Sequence, residues 1–167
     1  EYAQLGTHLE VMHYSEFLTS IRDRLPSAAR ARQAGGDRVT YHDSCYLGRY
    51  NQIYDEPRRL LESSGLRLTE MRRSRAGAMC CGGGGGQMWQ ETPPDQRINN
   101  ARLEDAVAVD ATVVATACPY CLQMIDDAIR STDRSDRVKV LDIAEILADR
   151  LTNGEPGDGD KGAPPGY

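Results

Sequence analysis

Apolar residues recur along this chain at two spacings, and the spacings alternate. Residues 9–14 read as a short strand. Ser15 stands where it would cap a helix over 16–25 with Phe17, Leu18, Ile21 and Leu25 on one stripe, and Pro26 ends it. Residues 39–43 predict a strand. Residues 46–54 predict a helical stretch that spaces Tyr46, Tyr50 and Tyr54 along one side. Asp55-Glu56-Pro57 opens a helix to about residue 64, and Gly65 closes it. Residues 66–71 predict another strand. A helix within 93–109 carries Ile98, Ala101, Leu103, Ala106 and Val107. The small, β-branched run 111–117 fits a strand buried on both faces, as in a parallel sheet. A helix over 122–130 turns Leu122, Ile125, Ala128 and Ile129 inward. Residues 138–141 form the last strand, and Asp142 caps a helix marked by Ile143, Ile146, Leu147 and Leu151.

Strand and helix alternate throughout, which predicts an α/β fold with a mostly parallel sheet flanked by helices. Such sheets bind ligands at the carboxyl ends of their strands. Residues 26–37 are rich in Ala, Arg and Gly and predict a linker. Residues 152–167 are Gly, Pro and Asp and predict a disordered tail. Residues 11–18 align with 140–147 as strand, cap and helix, so 1–25 read as the end of a preceding repeat and 38–151 as the domain proper.

Charge and composition narrow the function. Hydrophobic residues make up 40% and charged residues 27%, which suits a globular domain with a core. A net charge of −5 argues against nucleic acid as partner. No apolar run is long enough to cross a bilayer, so the chain itself has no transmembrane segment. The start at Glu1, without an initiator Met or a signal peptide, predicts one part of a longer polypeptide. Any membrane anchor would then lie upstream. The five cysteines are an odd number, which a secreted disulfide framework would avoid; their clustering fits a cytoplasmic, reducing compartment.

All five cysteines fall in three clusters: Cys45 in His42-Asp43-Ser44-Cys45, the pair Cys80-Cys81 followed by glycines 82–86, and Cys118-Pro119-Tyr120-Cys121. Cys45 and Cys118 both follow predicted strands. Thiolates are soft ligands for iron and zinc. A cubane iron–sulfur cluster needs four, so five leave two options. Either one is a reactive thiol, or the cluster is less regular than a cubane. Gly82, Gly83 and Gly84 can point backbone amides at an anionic sulfur cage. His42 reads as a hydrogen-bonding neighbour of the site rather than a ligand, and His8 and His13 as structural. Arg72, Arg73 and Arg75 read as a solvated basic turn, or as charges offsetting a cluster. The three tyrosines read as core or interface packing; Met88 and Trp89 either pack or shield the site from water.

Three simpler readings compete. Cys118-Pro-Tyr-Cys121 alone matches a glutaredoxin-type tetrapeptide, but too little chain follows it to complete that sheet, and the other cysteines would go unused. A structural zinc site takes four ligands, which this set over-supplies. A phosphate-binding loop is excluded because no Lys-Ser/Thr follows Gly86.

The order of one Cys, then Cys-Cys-Gly, then Cys-x-x-Cys resembles the cysteine-rich "CCG" domain of heterodisulfide reductase and of related iron–sulfur oxidoreductases. The text around it (His42-Asp43-Ser44-Cys45-Tyr46-Leu47-Gly48-Arg49, Gly85-Gly86-Gln87-Met88-Trp89, Arg97-Ile98-Asn99) is similar to heterodisulfide-reductase-related iron–sulfur proteins of actinobacteria. Two departures stand out: the glycine run is long, and Ser44 stands where Pro is frequent.

The resemblance implies a Rossmann-like domain in which Cys45, Cys80, Cys81, Cys118 and Cys121 hold a 4Fe-4S cluster, non-cubane in heterodisulfide reductase relatives, with zinc as the alternative in some copies. It implies electron transfer within a larger redox complex, between a soluble donor such as an electron-transfer flavoprotein and an acceptor that is a quinone, such as menaquinone, or a thiol/disulfide, at the membrane face through upstream segments. The alternatives are a disulfide reductase, in which the cluster cleaves the disulfide, and a zinc-stabilised docking module.

Overall fold

The computed structural model describes residues 2–25 and 37–152. Among these, β1 (Val39–Tyr41), β2 (Val113–Thr116) and β3 (Lys139–Asp142) form one parallel sheet in the order β1-β2-β3. Val39 pairs with Val113, and Val113 with Lys139. The expected α/β architecture with a parallel sheet is therefore present. Five helices accompany it: α1 (Tyr14–Ser20), α2 (Asp55–Ser63), α3 (Ile98–Val107), α4 (Pro119–Ser131) and α5 (Ile143–Thr152).

The central strand explains the layering. Successive side chains of β2 point to opposite faces, and all four of its residues are buried. Val113 and Ala115 join one core with Leu60, Leu61, Ile143, Ile146 and Leu147, the residues of α2 and α5. Val114 joins a second core with Leu103, Ala106, Ile125, Ala128 and Ile129, the residues of α3 and α4. Tyr14 and Leu18 of α1 pack on the first core.

Several sequence expectations need correction. Residues 7–13 join no strand among the described residues, although 9–14 predict one. A strand needs a partner ladder, and this segment instead turns directly into α1. His13, not Ser15, caps that helix: the His13 side chain accepts from the Ser15 amide, and Glu16 accepts from the His13 amide. The helix stops at Ser20, with a 3₁₀ turn over Arg22–Arg24. Asp142 and Glu145 make the same reciprocal cap at the start of α5, as expected of Asp142.

The predicted strand 66–71 shrinks to one bridge, Val39 to Leu68, supported by the Thr69 amide donating to the Val39 carbonyl. Residues 46–50 form a single π turn rather than a regular helix. In α3 the buried face is Asn99, Arg102, Leu103, Asp105 and Ala106, while Ile98 is exposed. The stripe is rotated because polar partners from other elements meet Asn99 and Arg102 in the interior. The expected linker, 26–37, and the expected tail, 152–167, lie outside the described residues apart from Asp37 and Thr152.

Candidate metal centre

Two parallel strands deliver the site. After β1 the ladder continues to His42, whose amide donates to the Ala115 carbonyl, and the chain then reaches Cys45 at the start of the π turn. After β2 the chain passes Ala117 to Cys118, the residue that caps α4. Pro119 takes the first helical position, where its missing N–H costs nothing. Cys121 therefore sits in the first turn of α4, earlier than the expected helix start at Leu122. Cys80-Cys81 arrives on the long loop between α2 and α3. All five cysteines are free thiols.

The three segments meet at one cavity of about 550 Å³, lined by all five cysteines together with glycines 83–86 and Arg49. Cys81 and Cys121 are buried at its floor; Cys45, Cys80 and Cys118 are partly exposed.

The sulfurs are electrostatically unequal. Cys121 sits between Cys118 and Cys81, and hydrogen bonding to both, followed by burial, pushes its thiol up. The Cys81 thiol is drawn down to about 4, first by Cys121 and then, against burial, by His42 and the Gly83 amide. Cys118 falls to about 6, first through Cys121 and then through the Cys121 and Tyr120 amides at the start of α4. This is the effect of a helix N-terminus on an anion. Cys80 is raised by burial, although the Gly82 amide donates to its sulfur at 3.3 Å. Arg49 hydrogen-bonds Cys45, which raises the Arg49 pKa.

A scaffold of buried ion pairs holds the two loops in register. Asp43 accepts from Arg58 Nη1 (2.7 Å) and Nη2 (3.0 Å) on α2. The same carboxylate accepts from the Arg75 amide at 2.7 Å, on the loop leading to Cys80. Arg49 Nη2 donates to the Ala78 carbonyl at 2.6 Å. Arg102, on α3, donates from Nη1 to the Arg73 carbonyl at 2.7 Å and to Asp105 at 3.0 Å, and from Nε to His42 Nδ1 at 2.9 Å. His42 is fully buried, its pKa lowered chiefly by that burial. Its Nε2 makes no hydrogen bond of ordinary geometry. The Cys81 and Cys121 sulfurs lie within 4.8 Å of a ring nitrogen.

Asp43, Arg49, Arg58 and Arg102 escape a reading of the sequence. Arg102 leaves a trace: Asn99, Arg102, Leu103 and Ala106 share one helical face. Asp43 and Arg49 stand in the motif text around Cys45 without their roles being visible, and Arg58 leaves no trace at all, because a lone charge in sequence reads as solvated. Arg73 and Arg75 pair with Asp105 and Asp55, so neither is simply a solvated charge. Of the tyrosines expected to pack in a core or an interface, Tyr46 and Tyr50 join no core: they are 76% and 71% exposed and stack on each other at the cavity mouth. Trp89, 81% exposed, lines the same mouth and packs into no core.

The glycines contribute unequally. Gly82 has φ +86°, and a Cβ there would lie 3.1 Å from Ile98 Cβ. A Cβ at Gly84 would meet nothing within 4 Å. Gly82→Ala should therefore cost about 2 kcal/mol, from left-handed strain plus overpacking. Gly84→Ala should stay within about 0.5 kcal/mol. Urea midpoints at constant m would read both.

The donor set suits an iron–sulfur group. It offers five sulfurs around one cavity, the Gly82 amide on Cys80 and the Gly83 amide on Cys81, and a buried imidazole nitrogen left without a partner. No helix among the described residues is long and apolar enough to cross a membrane.

Comparison with known proteins agrees with this geometry. The family model of the CCG cysteine-rich domain matches residues 39–126. The chain is 42% identical over 162 residues to the probable iron–sulfur-binding oxidoreductase FadF of Bacillus subtilis, covering 96% of the chain and 23% of that protein. It is 36% identical to the EtfAB:quinone oxidoreductase of Syntrophomonas wolfei, covering 88% of the chain and 21% of that protein. It is 35% identical to a subunit of the dihydromethanophenazine:CoB–CoM heterodisulfide reductase of Methanosarcina mazei, covering 88% of the chain and 36% of that protein. The chain thus spans between about a fifth and about a third of the length of these relatives. With the cysteine order, the parallel sheet and the family match in agreement, the chain belongs to the CCG cysteine-rich domain family.

Proposed function

We propose that this chain is an electron-transfer domain of a larger iron–sulfur oxidoreductase, and that Cys45, Cys80, Cys81, Cys118 and Cys121 hold a 4Fe-4S cluster of non-cubane form. The observation that carries this reading is the convergence of five free thiols on one cavity at the carboxyl ends of β1 and β2. Four thiolates complete a cubane, so a fifth donor in the same cavity favours a less regular cluster. Such a cluster would supply one-electron uptake and release. The protein's part is to hold five sulfurs in place, to donate the Gly82 and Gly83 amides to them, and to keep Cys81 and Cys121 out of water.

The donor and acceptor are read from the relatives. The name of the Syntrophomonas protein supports an electron-transfer flavoprotein as donor and a quinone, such as menaquinone, as acceptor. A quinone pool lies in a membrane, so the complete protein works at the membrane face through segments other than this one. The shared cap at His13–Glu16 and Asp142–Glu145 supports residues 1–25 as the end of a preceding copy and 38–151 as the cluster domain. Disulfide cleavage at the cluster is the second redox reading, favoured by the name of the Methanosarcina relative. Turnover of a heterodisulfide by the complete protein would select it.

Zinc is the competing metal, because His42, Cys81 and Cys121 come together closely enough to share one ion. Anaerobic reconstitution with ferrous iron and sulfide separates the two. The cluster reading expects a brown chain with about four irons. A colourless chain that retains one zinc and takes up no iron overturns it.

A further inference from the structure

The geometry around His42 points to a role for Arg102, a residue with no part in the cysteine motif. A guanidinium is a donor at every nitrogen and cannot accept. Arg102 Nε lies 2.9 Å from His42 Nδ1, so Nδ1 must present its lone pair. A neutral imidazole with a lone pair on Nδ1 carries its proton on Nε2. Nδ1 is occupied, so Nε2 is the nitrogen free to meet the Cys81 and Cys121 sulfurs, and it has no other hydrogen-bond partner.

The arrangement is the reverse of a metal-ligating histidine. A ligating ring gives its far N–H to a carboxylate or carbonyl, which leaves the near nitrogen bare for the metal. Here a donor sits on the far nitrogen, and the near one is forced to carry hydrogen. Arg102 is itself fixed: it is 1% exposed and held by the Arg73 carbonyl and Asp105, which Arg73 grips in turn.

We propose that Arg102 is a positioning residue that locks His42 as an Nε2–H donor to the Cys81 sulfur, barring it from metal ligation and raising the reduction potential of the bound cluster. The second half rests on the iron–sulfur reading. A hydrogen bond to a cluster sulfur strengthens as negative charge builds on it, so it favours the reduced form.

The first test needs no cluster. Nitrogen-15 NMR of the histidine rings in the metal-free chain should show His42 as the Nε2–H tautomer, and Arg102→Met should release it to a mixture or to Nδ1–H. The second test is potentiometric, on the reconstituted chain. His42→Phe should retain iron but lower the reduced-to-oxidised ratio at fixed potential about tenfold, equal to about 59 mV for one electron. His42→Gln, which keeps an N–H donor, should restore part of the shift, and Arg102→Met should move it in the same direction as His42→Phe.

An Nδ1–H tautomer in the unsubstituted chain would overturn the proposal, whether or not Arg102→Met folds. So would a zinc-loaded chain with His42 Nε2 bound to metal, an unmoved potential in His42→Phe, or iron loss in that variant equal to a cysteine substitution. A chain that takes up no iron refutes the function proposed above, and the tautomer measurement still decides the relation between Arg102 and His42.

Discussion

Cys121→Ser should empty the site: after anaerobic reconstitution, iron falls from about four per chain to below about one. Cys121 has the most central sulfur of the set, in contact with both Cys118 and Cys81 and buried at the cavity floor. A hydroxyl fills almost the same space, so the fold should persist, while its oxygen stays protonated where a thiolate would bind a soft metal. Substitution at Cys81 should match it, and the partly exposed Cys45, Cys80 and Cys118 should follow.

The five variants together count the ligands. If every one loses most of its iron and its visible absorption, all five sulfurs serve the cluster. If Cys45→Ser keeps both, four suffice and the fifth is a free thiol beside a cubane. A zinc site gives another pattern, because four ligands satisfy it, so at least one of the five substitutions leaves the metal content intact. Urea unfolding of the metal-free variants checks that these losses are local, since each should lie within about 1 kcal/mol of the unsubstituted chain.

Arg58→Met should cost about 3–5 kcal/mol, the largest stability effect expected of any charged residue described here. Arg58 grips Asp43 with two donors, and the side chains are 5% and 3% exposed. Removing the cation leaves a carboxylate in the interior with only the Arg75 amide to answer it. Lost charge pairing, rather than lost packing, is the cause, and a double substitution separates them. Asp43→Asn combined with Arg58→Met leaves no unpaired charge in the interior, since Arg58's other partner, Glu70, is 41% exposed and can be solvated, and should recover a substantial part of the loss, whereas a packing defect would add to it. The site should feel the change as well. Asp43 ties the Cys45 turn to the loop that carries Cys80 and Cys81, so Arg58→Met should also load iron poorly under conditions where the domain is still folded. A urea midpoint that places the variant within about 1 kcal/mol of the unsubstituted chain would refute this account.

The sequence carried much of the fold in periodicity. The run 111–117 was legible as a doubly buried strand because β-branched and small residues occupied every position, and β2 lies there, covered on both faces. Asp142 was legible as a cap because its side chain acts on amides close by in sequence. Residues 9–14 misled because alternation marks a strand only when a neighbour offers a ladder, and periodicity does not carry the neighbour. Ile98 misled for a related reason: it sits beside Gly82 at the surface, while Asn99 and Arg102 turn inward to partners far along the chain.

The cysteine site divides in the same way. The sequence alone determined which thiols exist, that they stand in three clusters, that two clusters follow strands, and that the order matches one family, because these are properties of neighbours along the chain. Only the tertiary structure decided that Cys121 lies between Cys81 and Cys118, that Asp43 and Arg58 hold the approach to Cys80, and that Arg102 meets the Nδ1 nitrogen of His42. Each of those depends on contacts between residues distant in sequence: Arg58 lies 15 residues from Asp43, and Arg102 lies 60 from His42. A buried charge is tolerated only where folding brings its counterpart to it, so the pair leaves no local signature and becomes visible only once the chain has closed.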